Sequence, residues 1–172
     1  MKFIASLEKT STTIAVVEED PDCWFSASDD VSLHEIAMYG SSLLHHHGFT
    51  FTLQGLGQGV WPVDVRYDLA TVIEQLPGVI GALVQSQPVA LQLYGQGIEK
   101  LVEFASEGDW VSATSSPIYD VDVGTIGTQR VLLADLIRQL RQLGRGFVEQ
   151  VSLLEPELRD NNAMKELQKS LE

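Results

Sequence analysis

Cysteine is almost absent from this chain of 172 residues: Cys23 stands alone, so no intrachain disulfide can form and an oxidising compartment is not implied. Asp22, Asp20 and Glu19 surround it in sequence, and carboxylates disfavour the thiolate that a catalytic cysteine requires. Basic side chains are also scarce, 11 Lys and Arg against 24 Asp and Glu, for a formal net charge of −13. Such a field repels nucleic-acid phosphates and anionic lipid. Long apolar runs are missing, and nothing approaches the roughly 20 residues needed to span a bilayer. The first eight residues hold one lysine and a short apolar stretch, without the apolar core and cleavage site of a signal peptide, so a cytoplasmic location is expected.

Hydrophobic residues make up 44% of the chain and charged residues 20%, a composition that folds rather than stays disordered. No repeat, low-complexity tract or linker divides it, and the length predicts one domain, residues 1–172. Within it the charge is uneven. Residues 1–124 carry 17 acidic and 4 basic side chains, whereas residues 125–172 carry 7 of each. The acidic excess therefore lies entirely in the first part, which would draw basic partners and speed their encounter.

The hydrophobic periods predict an α+β fold, mainly antiparallel sheet packed against a long C-terminal helix plus shorter helices. Residues 2–7, 12–17 and 23–26 read as short strands separated by turn residues. Ser32-Leu33-His34-Glu35 has the spacing of a capping box, and a helix with a weak point at Gly40 is expected from there to Gly48. Phe49, Phe51 and Leu53 alternate with Thr50, Thr52 and Gln54 as a strand, followed by a flexible turn at Gly55-Leu56-Gly57-Gln58-Gly59. Val63 and Val65 alternate with Asp64 and Arg66 as another strand. Asp68 is a good N-cap for a helix over 69–76, which Pro77 ends or kinks before a second helical piece over 79–84. Val89, Leu91 and Leu93 return to period two, and residues 100–105 and 110–114 form a hairpin. Residues 118–123 read as a further short strand. A long amphipathic helix occupies 130–155, with a bend expected at Gly144 and Gly146. Residues 160–172 read as a frayed tail with a short, poorly anchored helix.

Motifs for chemistry are lacking. The glycines at 55, 57 and 59 are followed by Val60-Trp61-Pro62, not by the third glycine and helix of a dinucleotide fingerprint, and no Walker lysine is present. His45-His46-His47 cannot converge on one ion from a helix, where successive side chains point about 100° apart; they suit the negative end of the helix dipole. Carboxylates are paired at Asp29-Asp30, Asp120/Asp122 and Glu155/Glu157, and in a strand Asp120 and Asp122 would share a face, without a calcium-loop pattern around them. No Gly-x-Ser-x-Gly elbow occurs. Arg138, Arg141 and Arg145 line one helical face, either as a solvated stripe or as partners for the acidic part, within the chain or in a homodimer. Catalytic residues, metal ligands and cofactor contacts are therefore not assigned, and the chain is not read as an enzyme. Trp61, in its Gly- and Pro-bounded loop, is either packed in core or loop, the commoner fate of a single tryptophan, or exposed as a contact anchor.

Val102-Glu103-Phe104, Gly108-Asp109-Trp110-Val111, the helix over 131–154 and Glu155-Pro156 together resemble small acidic immunity proteins of bacterial toxin–immunity systems, such as those of polymorphic, contact-dependent or type VI effectors. The resemblance spans the C-terminal half and carries no fixed set of contact residues. It implies a cytoplasmic inhibitor that binds and neutralises a cognate basic toxin. The carboxylates expected to meet that partner are Glu18, Glu19, Asp20, Asp22, Asp29, Asp30, Glu103, Glu107, Asp109, Asp120 and Asp122, with Trp61 beside them. Two other readings remain open at this level: a secretion chaperone holding an effector segment, and a small-ligand-binding or enzymatic domain with a pocket between the sheet and the long helix.

Overall fold

Ser32 starts the first helix by satisfying amides that the helix itself leaves open. Its hydroxyl accepts from the Glu35 amide at 3.3 Å, and the Glu35 carboxylate accepts from the Ser32 amide at 2.8 Å, the two halves of a capping box. The structure, a computed structural model, describes residues 3–10, 31–55, 58–94, 98–118 and 127–172. Helix α1 (Leu33–His46) buries Ile36, Ala37, Leu43 and Leu44 and stops at Gly48, whose φ of 74° suits a residue without a Cβ. The strands expected over 12–17 and 23–26, and all but the first residue of the one expected over 118–123, lie outside the described residues.

Strand β1 (Ile4–Lys9) pairs antiparallel with β2 (Phe49–Gly55), Leu7 facing Phe51, and β2 pairs with the short β3 (Gln58–Val60). Part of the expected glycine turn is thus strand. A second antiparallel sheet is a meander of β4 (Val89–Leu93), β5 (Lys100–Glu107), β6 (Trp110–Pro117) and β7 (Gly127–Leu132). Helix α2 (Asp68–Val84) lies between the sheets in sequence, and α3 (Leu133–Leu154), a 3₁₀ turn (Pro156–Asp160) and α4 (Asn162–Ser170) complete the chain. The fold is α+β, with α3 packed against α1, α2, β1 and α4. One hydrophobic cluster runs through both sheets and the helices, centred on side chains such as Leu53, Ile73, Phe104, Leu136 and Phe147.

Several local expectations give way to packing. Residues 63–67 do not form a strand: the Asp64 carboxylate accepts from the Tyr67 amide at 2.7 Å and the Asp68 carboxylate from the Asp64 amide at 2.9 Å, so two aspartates fold this segment into a turn. Asp68 is accordingly the first helical residue and Tyr67 the cap. Helix α2 runs unbroken through Pro77. An interior proline costs about 3 kcal/mol, whereas burying each of Ile73, Leu76, Val79, Ile80 and Leu83 gains about 1.5–3 kcal/mol. Residues 127–132, partly assigned to the long helix above, are a strand because Val131 pairs with Val111 and fills the core; the helix begins one residue after it. Helix α3 continues through Gly144 and Gly146.

The C-terminal tail is docked rather than frayed. Asn161 caps α4 by accepting from the Ala163 and Met164 amides at 2.8 and 3.4 Å. Met164, Leu167 and Leu171 are buried, and the Arg145 guanidinium donates to the Leu171 carbonyl at 2.5 Å. Among the described residues, no helix is long and apolar enough to cross a membrane.

Candidate functional site

An antiparallel sheet with one covered face presents its alternate residues to water. In the second sheet, Leu91, Leu93, Val102, Phe104, Val111, Ala113 and Val131 point into the core. Gln92, Glu103, Ala105, Glu107, Trp110, Thr128, Arg130 and Leu132 are exposed on the strands between them. The register arranges these side chains in rows. Glu103 lies beside Thr114, which faces Thr128; Ala105 lies beside Ser112, which faces Arg130; and Glu107 lies beside Trp110, which faces Leu132. The middle row is built of small residues except at Arg130, so the face is low at its centre and taller at the hairpin end.

That end carries the charged and aromatic groups. The Arg130 Nε lies 3.0 Å from the Glu107 carboxylate, and its guanidinium carbon lies 5.3 Å from the centre of the Trp110 ring, within the range of a cation–π contact. Trp110 and Leu132 are each 41% exposed, an apolar pair in a charged setting. Asp109 is exposed in the turn that joins β5 to β6, and its carbonyl accepts from the Leu133 amide at 2.9 Å. The start of α3 is thereby tied to the same hairpin.

Of the side chains expected to contact a partner, the structure brings Glu103, Glu107 and Asp109 onto this one face and its rim. Glu18, Glu19, Asp20, Asp22, Asp29, Asp30, Asp120 and Asp122 lie outside the described residues. Trp61 is a correction. It is 2% exposed and its indole N–H donates to the Gly55 carbonyl at 2.8 Å, so it belongs to the core and closes the β2–β3 hairpin. A large ring in a loop next to a sheet is covered when its one polar atom finds a backbone acceptor. Of the two described tryptophans the exposed one is instead Trp110. The signal for it was parity: Val111 and Ala113 face inward, so Trp110 and Ser112 face out. Arg130 and Leu132 were missed because the helix was expected to begin at residue 130, whereas both lie in β7.

Two other polar clusters shape the surface and the interior. Glu74 of α2 is bridged by the His34 imidazole from α1 and by the Tyr94 hydroxyl beyond β4. Asp68 is buried and accepts from the Asp64 and Ile98 amides, at 2.9 and 3.2 Å. Burial pushes its carboxyl above the ordinary aspartate value, and the two amides offset only part of that. These bonds hold the turn before α2 against the approach to β5. At the end of α1 the His45 and His46 rings meet edge to face, 6.1 Å apart, and among the described residues no three His, Cys, Asp or Glu side chains are grouped to hold a metal ion.

No protein-family model matches the chain, and neither a curated protein nor a solved structure is detectably similar to it. The reading of the site rests on its own geometry.

Proposed function

We propose that this protein is an acidic protein-binding module that docks a basic protein on the open face of its second sheet, and that it serves as an immunity protein neutralising a cognate toxin. The observation that carries the reading is the exposed Trp110–Leu132 pair with Glu107 and Asp109 at the same end of the face and Glu103 two rows further along it. Buried aromatic anchors ringed by charge dominate protein interfaces energetically, and the acidic excess of residues 1–124 steers a basic partner toward such an anchor. Toxin neutralisation is the form of binding that the resemblance to immunity proteins implies.

The test is capture from a bacterial lysate at low salt with two baits, the native protein and a Glu103→Gln/Glu107→Gln/Trp110→Ala variant, each eluted with a salt gradient. A basic protein retained only by the native bait, released by salt, and toxic to cells unless this protein is co-expressed is the expected result. Retention that ignores salt, or equal retention on both baits, overturns the assignment of the face.

A further inference from the structure

The hairpin end of the open face already grips a guanidinium. Arg130 reaches diagonally from β7 to lie between the Trp110 ring, 5.3 Å away, and the Glu107 carboxylate, 3.0 Å away. An aromatic face beside a carboxylate matches the planar, delocalised cation of arginine better than the compact ammonium of lysine. The floor beside it is made of Ala105 and Ser112, which pair across β5 and β6 and leave space above the sheet. The Arg130 and Glu107 side chains are 59% and 46% exposed, so solvent reaches both sides of the contact, and exposed ion pairs of this kind are weak and easily exchanged.

We propose that Trp110 and Glu107 form an arginine-binding subsite, which Arg130 fills in the free protein and an arginine of the basic partner takes in the complex. The owner of that arginine rests on the function proposed above; the subsite itself does not. Arg130 acts as a built-in competitor. Being tethered, it has a high effective concentration and excludes isolated guanidinium groups. A folded partner overcomes it because the incoming arginine arrives with further contacts, among them the neighbouring Leu132 and, two rows along the face, Glu103. This device selects an arginine-bearing surface over scattered positive charge, a form of discrimination that electrostatic attraction alone does not provide.

The experiment measures binding of tetra-arginine amide and tetra-lysine amide to the native protein, Arg130→Gln, Arg130→Gln/Trp110→Ala and Arg130→Gln/Glu107→Gln by calorimetry at one fixed ionic strength. Removal of the competitor should tighten tetra-arginine binding about three- to ten-fold, the size of one exposed cation–π contact plus one exposed ion pair. Tetra-lysine, of equal charge, should gain less, and either second substitution should abolish the arginine preference. Circular dichroism confirms that each variant is folded, and Glu107→Gln keeps the test intact if Trp110→Ala does not fold. Equal gains for both peptides, or an arginine preference that survives both second substitutions, overturn the subsite. That failure leaves the basic-partner reading to be judged by salt-eluted capture, whereas failure of the capture leaves the peptide result standing.

Discussion

The side-chain amide of Gln75 binds the backbone of Gln92 as a neighbouring strand would: its Oε1 accepts from the Gln92 amide at 3.0 Å and its Nε2 donates to the Gln92 carbonyl at 2.7 Å. Gln92 is the penultimate residue of β4, which lies at one edge of the meander, and an unpaired strand edge is a template for association. Gln75 closes that edge from α2, and its Nε2 also donates to the Thr71 carbonyl at 2.7 Å, which fixes the amide's orientation.

Gln75→Ala should therefore lower stability by about 1 kcal/mol, the net worth of solvent-accessible hydrogen bonds, and increase self-association at high concentration. Urea denaturation and sedimentation velocity read the two effects. An unchanged midpoint with an unchanged sedimentation profile would show that water replaces the clamp without loss.

Three helical glycines should respond to alanine in opposite directions. A Cβ at Gly40 would lie 2.6 Å from the Phe147 ring and 2.9 Å from Val151, and one at Gly144 would lie 2.7 Å from Leu171. A Cβ at Gly146 would meet nothing within 4 Å. Gly40→Ala should cost about 1–3 kcal/mol, because Phe147 is fully packed, and Gly144→Ala should also destabilise, because Leu171 and Leu76 beside it are buried. Gly146→Ala should stabilise by up to about 1 kcal/mol through helix propensity. The order of the three melting temperatures checks all of this at once.

Asp68 and Glu35 should contribute opposite slopes to stability against pH. Burial raises the Asp68 carboxyl above its ordinary 3.8 in the folded protein, so its contribution is full below that value and is lost as pH rises through the raised one. The Ser32 hydroxyl, followed by the Ser32 amide, lowers the Glu35 carboxyl below its ordinary 4.5. Its contribution is present above 4.5 and disappears as pH falls through the lowered value. Melting curves of the native protein, Asp68→Asn and Glu35→Gln between roughly pH 3 and 7 should show the native advantage over the first shrinking with rising pH, and over the second growing. Parallel curves would sink both assignments.

The two tryptophans with known surroundings should separate folding from binding. Trp61→Phe removes the indole donor to Gly55 from a buried site and should destabilise by about 1–3 kcal/mol, with partner affinity preserved in the fraction that folds. Trp110→Ala should leave the melting temperature nearly unchanged and weaken capture of the basic partner at least ten-fold, the cost of about 1.4 kcal/mol or more at an anchor. Loss of affinity in Trp61→Phe with none in Trp110→Ala would reverse the roles given to the two rings.

What the sequence determined by itself is whatever depends on neighbours within a few residues. The Ser32–Glu35 box, the alternation of Phe49, Phe51 and Leu53, the hairpin around Gly108-Asp109 and the 3.6-residue period from Leu136 to Val151 are local patterns, and each forms the element that its spacing predicts. The net charge and its uneven distribution are also properties of the chain alone. Tertiary structure decided the rest, because the partners concerned are far away in sequence. Pro77 stays in a helix because both flanks are buried by other elements, and Gly144 serves as a close-packing site for Leu171 rather than as a bend. The helix over 162–170 is held by Met164 and Leu167 in a shared core. The candidate site follows the same division: carboxylates at 103, 107 and 109 are visible in the sequence, but only the pairing of β5 with β6 and of β6 with β7 puts Glu107, Trp110 and Arg130 side by side. Parity along β6 turns Trp110 outward, but the burial of Trp61 belongs to tertiary structure, since it depends on the Gly55 carbonyl and on what packs over a ring outside any strand.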